Sequence, residues 1–248
     1  MFRFPAAATL ATALCLAAAP GLADPRAGAE LYARHCAICH QANGAGFPPG
    51  IPALNGSYAL EDAYTLVANT HVGGFYMPAF PELDAAEIAA IAGYVRNAWD
   101  NAHGEVTVEE VAALMEEAAG DMPQVTQRSI WDGVYTRDQA RRGQELARAA
   151  CGMCHGTRMN GVPDDNDMRA GPPLARAYFL REWEGRSLGT LFTYSKWTMP
   201  QANPGFLPDE DYAAIIAFTL SLTDVPPGRQ ELPADAVTLG HIMIGPRP

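Results

Sequence analysis

A chain of 248 residues with 17 basic and 28 acidic side chains has a formal net charge of −11, which argues against nucleic acid or anionic lipid as a partner. Simple solubility and docking to a positively charged protein both fit that balance. Hydrophobic content of 48% with 18% charged residues suits packed globular structure rather than disorder, in one large or two small domains.

Residues 1–23 read as a secretory signal, with Arg3 before an apolar run over 6–19 and small residues at Gly21-Leu22-Ala23. The run is shorter than the ~20 residues that span a bilayer, so no stable membrane anchor is expected after cleavage. Leu14 before Cys15 departs from a lipobox, where a small residue is needed. Cleavage would leave four cysteines and a charge of −12, from 16 basic and 28 acidic residues.

In the expected mature chain Asp24-Pro25 offers an N-cap and a first helical residue. A helix over 26–39 then delivers Cys36-Ala37-Ile38-Cys39-His40 at its C-terminal end. Gly, Pro and Asn over 41–56 predict a loop. A short helix is expected over 61–70, followed by the glycine-rich run His71 to Pro78, which contains Met77. Asp84 with Glu87 forms a capping-box pattern, and Ile88, Ile91, Ala92, Val95 and Trp99 follow at helical spacing. This unit, 24–103, is the first predicted domain.

Residues 104–135 have no counterpart to these motifs and read as an acidic connector. Thr107 and Glu110 can cap a helix there, with Val108, Val111 and Leu114 or Met115 sharing one face, so packing is expected. Pro123 and Gly133 break the rest of the connector.

The second domain, 136–248, opens with Thr136 and Gln139 as a possible capping box and a helix to 150. Cys151-Gly152-Met153-Cys154-His155 repeats the first motif after 115 residues, and a loop rich in Gly, Pro, Asn and Asp runs to Pro173. Helical, aromatic segments follow over 178–183 and 188–196, then Thr198-Met199-Pro200, then a helix from Asp209 carrying Tyr212, Ile215, Ile216 and Leu220. The Pro-rich tail, 225–248, is expected to wrap this domain. No alternating β pattern of any length occurs, so the fold class is all-α: two tandem domains joined by a connector.

Cys-x-x-Cys-His is the attachment signature of c-type haem. Two intervening residues let one turn present both sulfurs to one porphyrin edge, where each thiol adds to a vinyl group, and the next residue turns its imidazole under the iron. A single match admits a zinc half-site or a redox dithiol. Here Gly28-Ala29-Glu30-Leu31 lies eight residues before Cys36, and Gly143-Gln144-Glu145-Leu146 lies eight before Cys151, so the flanks repeat as well. Two covalently bound haem c groups are predicted, on Cys36, Cys39, Cys151 and Cys154, with His40 and His155 as axial ligands.

A thioether opposite each imidazole suits electron transfer, because it raises the potential and blocks other ligands. Met77 follows His40 by 37 residues and Met199 follows His155 by 44, each before a Pro and a last apolar helix. These are the predicted sixth ligands. Met159 and Met168 lie close after His155, Met122 falls in the connector, and His71 is a rival ligand for the first iron. Pro52 and Pro172 stand in the loops after the motifs, where a carbonyl can accept the free ring N–H of each histidine; stiffening the loop is the other reading. Tyr76, Trp183, Tyr194 and Trp197 are candidates for packing on haem edges or holding propionates, with core packing as the alternative.

These residues resemble the class I cytochrome c family twice, over 26–102 and 137–222. The second unit is similar to the cytochrome domain of quinohaemoprotein alcohol dehydrogenases in Gly171-Pro172-Pro173-Leu174, Thr198-Met199-Pro200, Asn203-Pro204-Gly205, Tyr212 and the Pro226-Pro227-Gly228 tail. The first, with His40-Gln41-Ala42-Asn43-Gly44-Ala45-Gly46, looks like cytochrome subunits of periplasmic dehydrogenases. The long acidic connector departs from that pattern. The resemblance implies a periplasmic electron carrier with no catalytic residues of its own. It would take electrons from a periplasmic dehydrogenase, of quinoprotein type, and pass them toward a terminal oxidase or another cytochrome. The competing class is a dihaem redox enzyme. A peroxidase would need an open iron, against the matched methionines, and a thiosulfate oxidoreductase commonly uses a spare Cys ligand.

Overall fold

The computed structural model describes residues 25–74, 76–120, 126–162 and 170–248. The expected signal segment, the Asp24 cap, Met122, Pro123 and Met168 lie outside them. Among the described residues two large apolar clusters and a smaller third organise the chain, and the connector contributes to both large ones.

In the first, α1 (Pro25–Leu31) continues through a π-helical turn at Tyr32–Cys36 into α2 (Ala37–His40). The expected single helix is therefore present, but widened by one turn. The wider turn rotates Cys36 to His40 relative to Gly28, and such turns favour functional positions. Leu60 and a 3₁₀ turn at Tyr58–Glu61 lead to α3 (Ala63–His71), whose N-terminal N–H groups are accepted by the Asp62 carboxylate. α4 (Ala85–Asn97) has the predicted Asp84–Glu87 capping box in both directions. Trp99 lies beyond its end in a left-handed conformation, and its ring packs edge-on to Tyr32 and Tyr94, with centroids 5.5 Å and 5.8 Å away.

α1 crosses α4 where a Cβ on Gly28 would lie 2.1 Å from the Ala90 carbonyl oxygen. The second half repeats the crossing: α6 (Arg137–Ala150) meets α10 (Asp209–Leu222) where a Cβ on Gly143 would lie 1.8 Å from the Ala214 oxygen. The glycine that begins each repeated flank is thus the contact point between the helix leading into the motif and the helix that follows the Met-Pro segment.

The connector helix α5 (Val108–Ala119) carries the predicted Thr107–Glu110 capping box and packs on α3 and α4, with Val111 and the preceding Val106 buried in the first cluster. Its glutamates face water. After it come β1 (Arg128–Ser129) and a 3₁₀ turn at Ile130–Asp132.

In the second half Thr136 caps α6, but Gln139 does not complete a capping box. Its amide instead makes two buried hydrogen bonds to the tail, donating to the Leu232 carbonyl at 2.9 Å and accepting the Leu232 N–H at 2.7 Å. The motif follows as α7 (Gly152–His155), then α8 (Arg176–Trp183) and α9 (Leu188–Thr198). The tail adds α11 (Ala236–Gly240) and β2 (Ile242–Met243), and buries Val225, Leu232, Leu239, Ile242 and Ile244 in the second cluster. β2 pairs in parallel with β1, a two-residue sheet that periodicity does not reveal. The all-α class holds otherwise.

The halves pack directly on each other. A Cβ on Gly189 in α9 would meet Pro78 at 2.7 Å, and one on Gly240 would meet the Ala79 N at 2.7 Å. The tail therefore touches both halves rather than the second alone.

Candidate haem sites

Each motif histidine is buried and held at its Nδ1. His40 Nδ1 lies 3.1 Å from the Pro52 carbonyl oxygen, and His155 Nδ1 lies 2.7 Å from that of Pro172. With each Nδ1 donating, the lone pair is left on Nε2, the tautomer that an axial ligand requires. Both rings are under a tenth exposed. Burial lowers the His40 pKa, with the Pro52 contact opposing it, which keeps the ring neutral. At the second site the loop passes so close that a Cβ on Gly171 would lie 2.7 Å from His155 Nδ1. Only a glycine before Pro172 lets that carbonyl reach the ring.

The cysteines of both motifs are free thiols. Burial pushes Cys36 and Cys39 up to about 12 and Cys151 up to about 11, with the neighbouring cysteine adding to the shift at Cys36 and Cys151. Two free sulfurs and a buried imidazole whose Nδ1 is engaged, leaving Nε2 available, fit a covalently attached haem at each motif.

Met77 N donates to the Gly74 oxygen at 2.8 Å and Gly74 N to the Met77 oxygen at 3.0 Å, a closed loop. Met77 packs against the first cluster together with Cys36. Met199 ends α9 in an extended conformation, and its carbonyl accepts the Tyr212 hydroxyl at 2.9 Å. Burial raises the Tyr212 pKa, opposed by the Gly205 and Leu207 backbone contacts, while Cys151 raises it further, so Tyr212 lies within electrostatic reach of Cys151 and bonds Met199.

Of the rivals, Met159 is buried with Ala147, Ala175 and Phe218 as core filler. His71 closes α3, with a buried Nδ1 that has no partner among the described residues, and burial lowers its pKa. Trp183 and Tyr194 stack edge-on at 5.7 Å between centroids, while Trp197 keeps a buried Nε1 with no hydrogen-bond partner among the described residues. The contribution of Gly171 is not legible in sequence, although it begins the Gly171-Pro172-Pro173-Leu174 string.

The profile of the family described as cytochrome C oxidase, cbb3-type, subunit III matches residues 23–95 and 138–218, more than half of the chain. This chain belongs to that family. As a subunit III-type cytochrome c it is an electron-transfer protein, and the family implies covalently bound haem c. It is 33% identical over 107 residues to the cytochrome c subunit of a quinone alcohol dehydrogenase from Gluconacetobacter polyoxogenes, an alignment covering 37% of this chain and 23% of that subunit. The chain thus spans about a quarter of that relative's length. It is 35% identical over 117 residues to cytochrome c-552 of Thermus thermophilus, covering 38% of this chain and 78% of that protein. Among the described residues no helix is long and apolar enough to cross a membrane.

Proposed function

We propose that this cytochrome is a periplasmic dihaem relay, with one haem c in each of the units 24–103 and 136–248 and the segment 104–135 joining them. The observation that carries the reading is the repeated histidine-to-proline-carbonyl contact, His40–Pro52 and His155–Pro172, because both imidazoles are prepared alike for a metal. Haem c, once bound, supplies a one-electron ferric/ferrous couple. Cys36 and Cys39 hold the first group and Cys151 and Cys154 the second. His40 and His155 would ligate through Nε2, with Met77 and Met199 as the second ligands. The Pro52 and Pro172 carbonyls fix the ring tautomers, and the apolar clusters keep water from the ligands.

The resemblance of the second unit to quinohaemoprotein cytochrome domains, and the likeness to an alcohol dehydrogenase cytochrome subunit, support a periplasmic dehydrogenase as donor. A cytochrome or terminal oxidase would accept the electrons. Substrate chemistry belongs to the donor.

The test counts haem by pyridine haemochrome and mass on the mature protein. Two porphyrins per chain are expected, and fewer than two removes the relay. Replacing Met77 or Met199 with Ala should lower the potential of one centre and open it to cyanide, leaving the other intact. Rapid cyanide binding by the unaltered protein would instead favour a dihaem enzyme.

A further inference from the structure

Lys196, the single lysine of the chain, is buried where the two halves meet. Its ammonium pairs with Asp209 at the start of α10. Three rings enclose it: Tyr76 at 5.1 Å, Trp197 at 5.4 Å and Tyr212 at 5.6 Å from the nitrogen to each centroid. Tyr76 comes from the first half and directly precedes Met77; the other two come from the second. Its ring meets Trp197 edge-on at 5.0 Å, its hydroxyl donates to Asp209 at 3.4 Å and its carbonyl accepts the Thr193 hydroxyl of α9. On the far side a Cβ on Gly50 would lie 2.0 Å from the Trp197 ring, so the first half grips this tryptophan from two loops. Tyr212 in turn bonds the Met199 carbonyl. Both Met loops therefore contact one ion pair whose cation is buried.

An ion pair withdrawn from water rarely stabilises a fold more than apolar side chains of the same volume, so its retention points to another role. The two charges are unequally screened. The Lys196 side chain is 8% exposed and that of Asp209 31%, so water weakens the anion's field more than the cation's. The less screened cation would leave a net positive charge at the junction, next to the segments that carry Met77 and Met199. A positive field favours the reduced state of a nearby iron.

We propose that the Lys196–Asp209 pair is a positioning and charge-setting element common to both haem centres, seating the two Met loops on each other and raising both potentials together. This rests on the dihaem reading above. It makes the centres a matched pair, with two irons answering to one charge.

The test is a redox titration of the mature holoprotein, resolved into its one-electron steps, for Lys196→Met and Asp209→Asn. Removing the cation should shift both midpoints negative, and removing the anion should shift both positive. Opposite signs distinguish a field effect from loosened packing, which would move both variants in one direction. A shift confined to one step, no shift, or shifts of the same sign in the two variants overturns the proposal. If Lys196→Met does not accumulate, Asp209→Asn at the rim still decides: loss of the anion moves both midpoints positive, whereas water admitted to the junction stabilises the ferric state and moves them negative. Finding fewer than two haems in the unaltered protein would refute the relay itself, a separate result from two steps that fail to move together.

Discussion

Gly143 and the carbonyl oxygen of Ala214 approach so closely that a methyl group on the glycine would lie 1.8 Å from that oxygen, with the Ile215 N 3.0 Å away. Helix propensity alone would reward alanine at Gly143 by about 1 kcal/mol. The clash decides the sign, because forcing a methyl between two packed helices costs roughly 1–3 kcal/mol. Gly143→Ala should therefore lower the thermal midpoint of the second half, by several degrees or more for a unit of this size. Circular dichroism melts check it, and a raised midpoint would contradict the crossing.

The tail is tied to α6 by two contacts of unequal worth. Arg142 makes a bidentate pair with Glu231 at 2.9 Å and 2.8 Å, but both side chains are half exposed. Arg142→Ala should cost under about 1 kcal/mol. Gln139 is buried and satisfies both polar groups of Leu232, so Gln139→Ala strands a buried N–H and C=O at about 1–3 kcal/mol each. Urea denaturation should rank the two variants in that order.

Protonation should weaken the fold from below neutrality. Burial lowers the pKa of His71, and burial followed by His71 lowers that of His241, and neither Nδ1 has a hydrogen-bond partner among the described residues. A folded-state pKa below the unfolded value means the unfolded chain binds more protons between the two, so stability rises with pH in that window. The contribution is complete above about 6.5 and is lost as pH falls toward the depressed folded-state values. Thermal midpoints should drop between about pH 7.5 and 5, on either side of the ordinary histidine range. His241→Gln should reduce the drop.

With a net charge of −11, encounter with a positively charged donor is accelerated at low ionic strength. The bimolecular electron-transfer rate from the true partner should fall as salt is added, because screening shortens the reach of those charges to about 8 Å at physiological strength. A rate indifferent to salt would assign docking to apolar contacts.

Local chemistry is legible in sequence wherever it is set by near neighbours along the chain. The Asp84–Glu87 and Thr107–Glu110 boxes, the helices they start and the two Cys-x-x-Cys-His strings each depend on groups within a turn of one another. The histidine-to-proline contacts are one of two readings the loops allow, and the fold selects that one. The β1–β2 pair leaves no sequence signal because two residues carry no periodicity. The Gln139 box fails because Leu232, 93 residues away, competes for the same amide.

Sequence alone determined that the chain is an all-α protein with a repeated Cys-x-x-Cys-His motif, since thiol spacing and helical periodicity are covalent and local facts. The meaning of the repeated glycines, the seat of the connector helix on the first core and the burial of Lys196 between the Met loops were decided only by tertiary packing. Each depends on which surfaces come within a few ångströms of each other. That distance is set by how two independently patterned halves fit together, and no pattern within either half encodes it.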